Sequence, residues 1–217
     1  MPVFAVALTL TSCSESFLDR EPTDALSDSK FWKSEKDADE ALTGCYHQLY
    51  SPYRPEEMWS WDTASDNAFC YHNNKDYRAI GNGSMAASGV SVHNYFTYEQ
   101  IRTCNEYLKR ENTIAFSSEA KRLQYRAEVR MIRVMSLFFR VQCYGDFPFS
   151  EDVYETIDES RVPRVSKDKL LDFCHTELKD IIKYLSAKAE AGRITSGAAK
   201  AYLVRLDMYM HNYAEAA

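Results

Sequence analysis

Residues 118–145 read SEAKRLQYRAEVRMIRVMSLFFRVQCYG, and their apolar positions recur at the three- and four-residue spacing of a helix. The apolar side chains are Tyr125, Val129, Ile132, Met135, Leu137, Phe138, Phe139 and Val141. In the second half of the stretch they cover much of the helical circumference, so this helix must be buried on several sides. Gly145 stands where many helices end in a left-handed conformation. The sequence therefore predicts a central helix from Ser118 to Tyr144.

Four further helices are predicted from the same periodicity. They span residues 34–50, 97–108 and 166–191, and the last one begins at Thr195, which is placed to cap it. Ser34 and Asp37 have the spacing of a capping box, and Pro52 is expected to end the first helix. Gly192 is expected to end the helix over 166–191.

The last residues have the pattern Tyr209-x3-Tyr213-x2-Ala216, which resembles the first helix and following turn of a tetratricopeptide unit. A repeat helix cannot bury its apolar face alone. We therefore expect the architecture to continue beyond Ala217.

Length and composition also favour a helical globular protein. The chain has 217 residues, of which 45% are hydrophobic and 27% are charged, enough for a domain with a sizeable core. Seven glycines and six prolines are too few for the turns of an all-β sandwich. The net charge of −6 argues against nucleic acid as a partner, and no stretch reaches the roughly 18–20 apolar residues of a membrane span. The fold class expected is mostly α.

The first residues have the pattern of an export signal. Residues 1–12 carry no charge and contain the apolar run from Val3 to Leu10, which is too short to cross a bilayer. Leu10-Thr11-Ser12-Cys13 resembles the bacterial lipobox, in which the cysteine is acylated and becomes the first residue of the mature protein. We expect residues 1–12 to be a lipoprotein signal peptide and Cys13 to carry the lipid anchor. The alternative is a buried N-terminal strand with a lone cysteine.

Catalytic and metal-binding patterns are missing from the sequence. The five histidines form no H-E-x-x-H pair, the six cysteines form no C-x-x-C, and no G-x-S-x-G occurs. We expect neither an enzyme nor a cofactor or metal site. Cys45, Cys104, Cys143 and Cys174 each lie in a predicted helix, where a free thiol usually packs as a small apolar group.

Five segments follow one another along the chain in a recognisable order. They are Cys13 with Phe17-Leu18-Asp19 through Tyr46; WDTASDN at 61–67; Tyr98-x2-Ile101-x3-Asn105; Glu128-x-Arg130 through Tyr144-Gly145-Asp146-x-Pro148; and Arg161-x-Pro163 through Gly192-Arg193-Ile194-Thr195 to Ala201. Together they resemble the RagB/SusD family of outer-membrane nutrient-binding lipoproteins. Family members are roughly twice this long. Residues 13–217 are therefore expected to be the N-terminal part of a SusD-like domain, incomplete at its C-terminal end.

The resemblance implies both a fold and a function. The fold is built from tetratricopeptide-like helix pairs with a long irregular ligand-binding region. In this sequence that region corresponds to the irregular residues 51–95. The location implied is the outer face of the outer membrane, with lipid anchoring at Cys13. The partners implied are a SusC-type TonB-dependent transporter, over which the protein sits as a mobile lid, and an oligosaccharide that is captured and delivered without chemistry.

Sugar recognition needs flat aromatic faces for the C–H side of a pyranose ring and polar groups for its hydroxyls. Residues 51–95 contain both types. The candidate ligand-binding residues are Trp59, Trp61, Asp66, Asn67, Tyr71, Tyr77, Arg78 and Tyr95. The competing interpretation is that the two tryptophans anchor the long loop to the core.

Two further interpretations of the whole protein stay open. One keeps the fold and location but replaces the sugar with oligopeptides, and the other is a helical-repeat scaffold that binds a protein partner. Asn105, on the apolar stripe of its helix, is expected to fix a loop and not to contact ligand. The charged residues of the central helix are expected to form a mixed, partly paired helix surface; they are the arginines at 122, 126, 130, 133 and 140 with Glu119 and Glu128.

Overall fold

The computed structural model describes residues 31–53, 61–69, 71, 77–86 and 97–217, and it is mostly helical, as predicted. The helices are α1 (Glu35–Tyr53), α2 (Tyr77–Gly81), α3 (Glu99–Arg110), α4 (Glu119–Tyr144), α5 (Lys167–Ile181), α6 (Ser196–Tyr209) and α7 (Tyr213–Ala216), with 3-10 turns at Glu111–Thr113 and Ile182–Tyr184. Strands β1 (Phe147–Pro148) and β2 (Arg164–Val165) pair antiparallel, with Phe147 opposite Val165. These two strands were not predicted from the sequence.

Helix α4 is the centre of the core, as its apolar circumference predicts. It packs against α1, α3 and α5, and Phe138 also contacts the rings of Tyr202 and Tyr209 on α6. The Ser118 side chain accepts a hydrogen bond from the backbone N–H of Lys121 and so caps the first turn. Gly145 ends the helix with φ of 70°, a conformation that glycine adopts without steric cost. Both predicted ends of this helix are confirmed.

Helix α1 begins as predicted and ends slightly later. The backbone N–H of Ser34 donates to the Asp37 carboxylate (2.8 Å), and the N–H of Asp37 donates to the Ser34 hydroxyl (3.3 Å), so the capping box is confirmed. The helix continues past the expected end near Tyr50 and includes Pro52, ending at Tyr53. A proline in the last turn removes only one intrahelical hydrogen bond there, which explains the difference.

Helix α5 ends ten residues before the predicted end at residue 191. It ends at Ile181, passes through a 3-10 turn, and Leu185 is buried with extended backbone (φ −86°, ψ 136°). The backbone N–H of Ser196 donates to the carbonyl of Ser186 (2.9 Å), which fixes the turn that leads into α6. Burial of Leu185 therefore overrides the good helix propensity of residues 187–191. Gly192 lies in this turn with φ of 87°.

Arg140 of α4 lies inside the core, 2% exposed, so its predicted surface position is wrong. Its Nε donates to the carbonyl of Thr97 (2.7 Å) and its Nη1 to the carbonyl of Ser136 (2.8 Å), and Nη2 also donates to the side chain of Gln100. A guanidinium group carries five donors, and burial is tolerated when carbonyl oxygens satisfy them. Arg140 thus ties the start of α3 to α4.

Arg133 is also buried, at 3% exposed, which corrects the same prediction. It forms ion pairs with Glu177 of α5 (3.1 Å) and with Glu151 (2.8 Å). Arg130, one turn earlier, binds Glu177 (2.6 Å) and Asp180 (2.6 Å). Burial alone would raise the pKa of Glu177, but the hydrogen bonds and charges of the two arginines lower it below its usual value. The α4–α5 contact is therefore part apolar and part ionic.

A second polar network joins α1, α4 and the turn before α6. Glu128 is fully buried and accepts a hydrogen bond from the hydroxyl of Tyr46 (2.7 Å), and its carboxylate pairs with Nε of Arg193 (3.0 Å). The Tyr46 hydroxyl in turn accepts from the backbone N–H of Ile194 (2.7 Å), and Arg193 also pairs with Asp39 (3.1 Å). These bonds connect residues 154 positions apart in the sequence.

The cysteine prediction is confirmed at three of its four positions. Cys45, Cys104 and Cys174 are buried free thiols, and Cys143 is exposed. Cys143 lies next to exposed Gln142 in the last turn of α4, where the helix has emerged from the core. The difference at Cys143 follows from its position at the helix end, which the periodicity does not reveal.

Candidate functional site

The candidate site is a surface formed by residues 61–69 and 77–82, which we call the Trp61 surface. The backbone turns after Trp61, with N–H groups of Ala64 and Ser65 donating to the carbonyls of Trp61 (3.0 Å) and Asp62 (3.1 Å). Thr63 is buried, and its carbonyl oxygen approaches Gly81 of α2 so closely that a Cβ there would lie 2.5 Å from it. This contact sets the spacing between the two segments of the surface.

Trp61 connects this surface to the core. Its ring meets Phe139 of α4 edge-on, with centroids 5.6 Å apart, and lies 6.1 Å from the ring of Tyr77. It is nevertheless 37% exposed, so part of its face is open to solvent. Trp61 therefore both anchors the loop, as the competing interpretation holds, and presents an aromatic face.

A cavity of about 410 Å³ opens within the Trp61 surface. Its lining comprises Thr63, Ser65, Asp66, Asn67, Ala68, Phe69, Arg78, Gly81 and Asn82. Arg78 places its guanidinium carbon 5.1 Å from the centroid of the Phe69 ring, a cation–π arrangement. Asp66, Asn67 and Arg78 are all exposed. The cavity thus combines a carboxylate, an amide and a guanidinium group around an aromatic ring.

The structure brings together most of the predicted ligand-binding residues, with different exposures. Asp66, Asn67 and Arg78 line one cavity, and Tyr71 is 82% exposed. Tyr77 is only 5% exposed, because it packs beside Trp61, so it supports that ring and offers no open face. Three predicted residues, Cys13, Trp59 and Tyr95, lie outside the described residues, as does the signal peptide predicted over 1–12.

Sequence reasoning missed two members of the surface. Phe69 is 71% exposed and lies under the Arg78 guanidinium. Asn82 lines the same cavity and accepts hydrogen bonds from the backbone N–H (3.0 Å) and hydroxyl (2.6 Å) of Ser84. A signal for Phe69 was present, since it is a large apolar residue in a polar stretch without periodic partners. Asn82 has only the turn-forming context Gly-Asn-Gly.

The arrangement can bind an uncharged polar molecule with an apolar face. Aromatic rings such as Trp61 and Phe69 contact apolar C–H surfaces, while carboxylate, amide and guanidinium groups supply acceptors and donors for hydroxyls. The pair Asp66 and Arg78 leaves no strong net charge on the cavity lining. Within the described residues, no group of histidine, cysteine and acidic side chains is placed to hold a metal ion, and no helix is long and apolar enough to cross a bilayer.

Asn105 does not belong to this surface and has the loop-fixing role predicted for it. Its Nδ2 donates to the carbonyls of Ser150 (2.9 Å) and Asp152 (3.4 Å), and its Oδ1 accepts from Arg133 (3.0 Å). The residue is 3% exposed. Its amide therefore satisfies backbone groups of the segment after β1, and that prediction is confirmed.

Replacing Gly81 with alanine should destabilise the protein by about 1–3 kcal/mol, because the new methyl group collides with the Thr63 backbone and not with a flexible side chain. Gly44 is the matched control, since a Cβ there has nothing within 4 Å and the residue lies inside α1. Gly44→Ala should stabilise by about 0.5–1 kcal/mol. Urea unfolding followed by circular dichroism measures both changes, and equal effects of the two variants would contradict the close contact.

Comparison with known proteins points to one family. A scan against protein-family models gave no match. A SusD-like protein of Bacteroides ovatus is 23% identical over 208 residues, covering 94% of this chain and 38% of that protein. The crystal structure of a SusD-like carbohydrate-binding protein from Bacteroides fragilis superposes with a TM-score of 0.77 at 27% identity, covering 86% of this chain and 39% of that one. A laminarin-binding SusD-like protein superposes at 0.75 with 18% identity, covering 85% and 42%. The chain spans about two fifths of the length of the curated relatives it matches.

Proposed function

This chain is a member of the SusD/RagB family, and from that premise we propose that it captures oligosaccharides at the Trp61 surface and performs no chemistry on them. The observation that carries the proposal is the cavity of the Trp61 surface, where Asp66, Asn67 and Arg78 line the same space as the exposed ring of Phe69. A structural relative at 27% identity is itself a SusD-like carbohydrate-binding protein, which supports the same ligand class.

Each residue of the surface has a separate role in this proposal. The rings of Trp61, Phe69 and Tyr71 contact the C–H faces of sugar rings, since all three are exposed. Asp66, Asn67 and Arg78 bind hydroxyl groups. Tyr77 holds the Trp61 ring in place from below. Trp59 and Tyr95 are proposed as additional contacts from the residues that flank the described segments.

The proposed place of the protein is the outer face of the outer membrane, where a lipid on Cys13 anchors it. The support is the lipobox-like Leu10-Thr11-Ser12-Cys13 and the family membership. From there the protein would pass its sugar to a SusC-type TonB-dependent transporter. Mass spectrometry of the N-terminal peptide from native cells tests the anchor, and an unmodified cysteine in cytosolic protein would contradict it.

Glycan binding is tested by electrophoresis of the 217-residue chain in gels that contain soluble polysaccharides, followed by calorimetry with the matching oligosaccharides. At least one polysaccharide should retard the chain. The double variant Asn67→Ala/Arg78→Ala should be retarded less, because it lacks two of the side chains proposed to bind hydroxyl groups. Both side chains are exposed, so their loss leaves the core unchanged. Calorimetry with oligopeptide mixtures is the comparison arm. Heat from peptides and none from any oligosaccharide would replace the proposed ligand with oligopeptides.

A further inference from the structure

A segment between β1 and β2 lines a second cavity together with α3. Residues 150–162, which we call the strap, connect β1 to β2 and lie across α3. The strap is fixed at its start, where Asn105 donates to the carbonyls of Ser150 and Asp152 and Glu151 pairs with Arg133. From Tyr154 to Val162, the hydrogen bonds in the described part of the chain are internal to the strap. This half of the strap therefore makes no hydrogen bond to α3 within the described residues.

The second half of the strap holds its shape through hydrogen bonds of its own. The carboxylate of Glu159 accepts hydrogen bonds from the backbone N–H groups of Glu155 (3.1 Å) and Thr156 (3.3 Å). The resulting turn presents Ile157 with 78% of its surface exposed. A preformed wall of this kind can shift as a unit at little conformational cost.

The cavity between strap and α3 measures about 380 Å³, within the range of about 300–1,000 Å³ usual for small-molecule sites. Its apolar lining consists of Ile101 of α3, Tyr98 just before this helix, and three strap residues, Tyr154, Ile157 and Val162. Its charged lining consists of Asp152 and Glu155 against the single guanidinium of Arg102. The excess of carboxylates disfavours anionic ligands and supplies acceptors for hydroxyl groups.

The hydroxyl of Tyr98, a residue that lines this cavity, is a hydrogen-bond donor without an acceptor among the described residues. Its ring stacks on Phe147 with centroids 5.2 Å apart, and its hydroxyl is buried under the strap without a hydrogen-bond partner among the described residues. Burial, and to a smaller extent the neighbouring Tyr154, raise the pKa of Tyr98, so the phenol stays protonated at neutral pH. A buried hydroxyl without an acceptor is unfavourable, and a ligand oxygen that enters as the strap moves outward would satisfy it.

We infer that the strap cavity is a second binding site, for an uncharged saccharide unit, separate from the Trp61 surface. A neutral sugar matches its aromatic and aliphatic faces, its carboxylate acceptors and its unpaired tyrosine donor together. The choice of a sugar as ligand rests on the proposed function, whereas the existence of the cavity does not. The two sites would let one chain hold a polysaccharide at two points, which strengthens binding beyond either site alone.

The test uses nuclear magnetic resonance of the 217-residue chain with ¹³C-labelled tyrosines. The chain is titrated with neutral hexasaccharides (laminarihexaose, maltohexaose, xylohexaose) and, separately, with an acidic oligogalacturonide. In the Asn67→Ala/Arg78→Ala background, one neutral hexasaccharide should still shift the Tyr98 and Tyr154 ring signals. Tyr98→Phe should then raise the dissociation constant by about five-fold or more without lowering the melting temperature, because that hydroxyl has no partner among the described residues.

Tyr107→Phe is the matched control. The Tyr107 hydroxyl is also buried without a partner among the described residues, but Tyr107 does not line the strap cavity, so this variant should bind as the parent does. If hexasaccharides bind the wild type only through the Trp61 surface and the Tyr98 signal stays fixed, the second site is refuted and the proposed function stands. If no saccharide binds either variant or the wild type, both fail. Equal shifts by the oligogalacturonide would refute the neutral ligand class.

Discussion

Replacing Glu128 with alanine will lower the free energy of unfolding by about 3–5 kcal/mol, the largest stability effect expected from any single change described here. Glu128 is fully buried, and its carboxylate is the partner of both the Tyr46 hydroxyl and the Arg193 guanidinium. The variant leaves Arg193, whose side chain is 16% exposed, with only the more exposed Asp39 to balance its charge. It also removes the acceptor of the buried Tyr46 hydroxyl.

Two controls separate the lost charge from the lost volume. Glu128→Gln keeps an acceptor for Tyr46 and should show an intermediate loss. Glu119→Ala removes another glutamate of α4 that pairs with arginine, but this side chain is 64% exposed and should cost less than about 1 kcal/mol. Chemical unfolding followed by fluorescence gives all three values. A loss for Glu128→Ala as small as that for Glu119→Ala would mean that the network contributes nothing to stability.

Trp61→Ala will have the largest effect on ligand binding, a loss of about 30-fold or more in affinity for the glycan that the electrophoresis identifies. Tryptophan is the side chain most often found at binding hot spots, and here it is 37% exposed on the same surface as the cavity lined by Asp66 and Arg78. Because the other part of the ring packs on Phe139, the truncation will also reduce stability.

Two variants separate these contributions. Trp61→Phe keeps an aromatic ring against Phe139 and should lose less affinity while preserving the melting temperature. Tyr213→Ala removes another exposed ring, 58% accessible on α7, and should leave affinity unchanged. Calorimetry is carried out well below the melting temperature of each variant. Unchanged affinity in folded Trp61→Ala would remove Trp61 from the proposed site.

The sequence predicted the elements whose signals are local. Ser34 with Asp37, Ser118 and Thr195 each cap a helix through their own side chains, so short-range chemistry locates those helix starts. Helix α5 was predicted too long because residues 187–191 favour helix locally, while burial of Leu185 and the bond between Ser186 and Ser196 come from distant packing.

The predicted surface position of the two buried arginines was wrong for a related reason. Arg133 and Arg140 have the charge of surface residues, and only the folded structure supplies the carbonyls and carboxylates that satisfy them. At the candidate site, the composition of residues 51–95 indicates aromatic and polar side chains but not their exposure. Nothing in the order of residues shows that Tyr77 turns inward while Phe69 turns outward, or that the Thr63 carbonyl approaches Gly81.

The edge-on contact between Trp61 and Phe139 has a consequence for engineering new specificity. Phe139 follows Phe138, whose ring contacts two tyrosines of α6, so any replacement at position 61 that repositions Phe139 disturbs the interior as well. Positions 66, 67 and 82 have no such connection to α4 among the described residues. A combinatorial library that randomises those three positions and keeps the tryptophan would explore ligand preference while leaving the folding yield of its members intact.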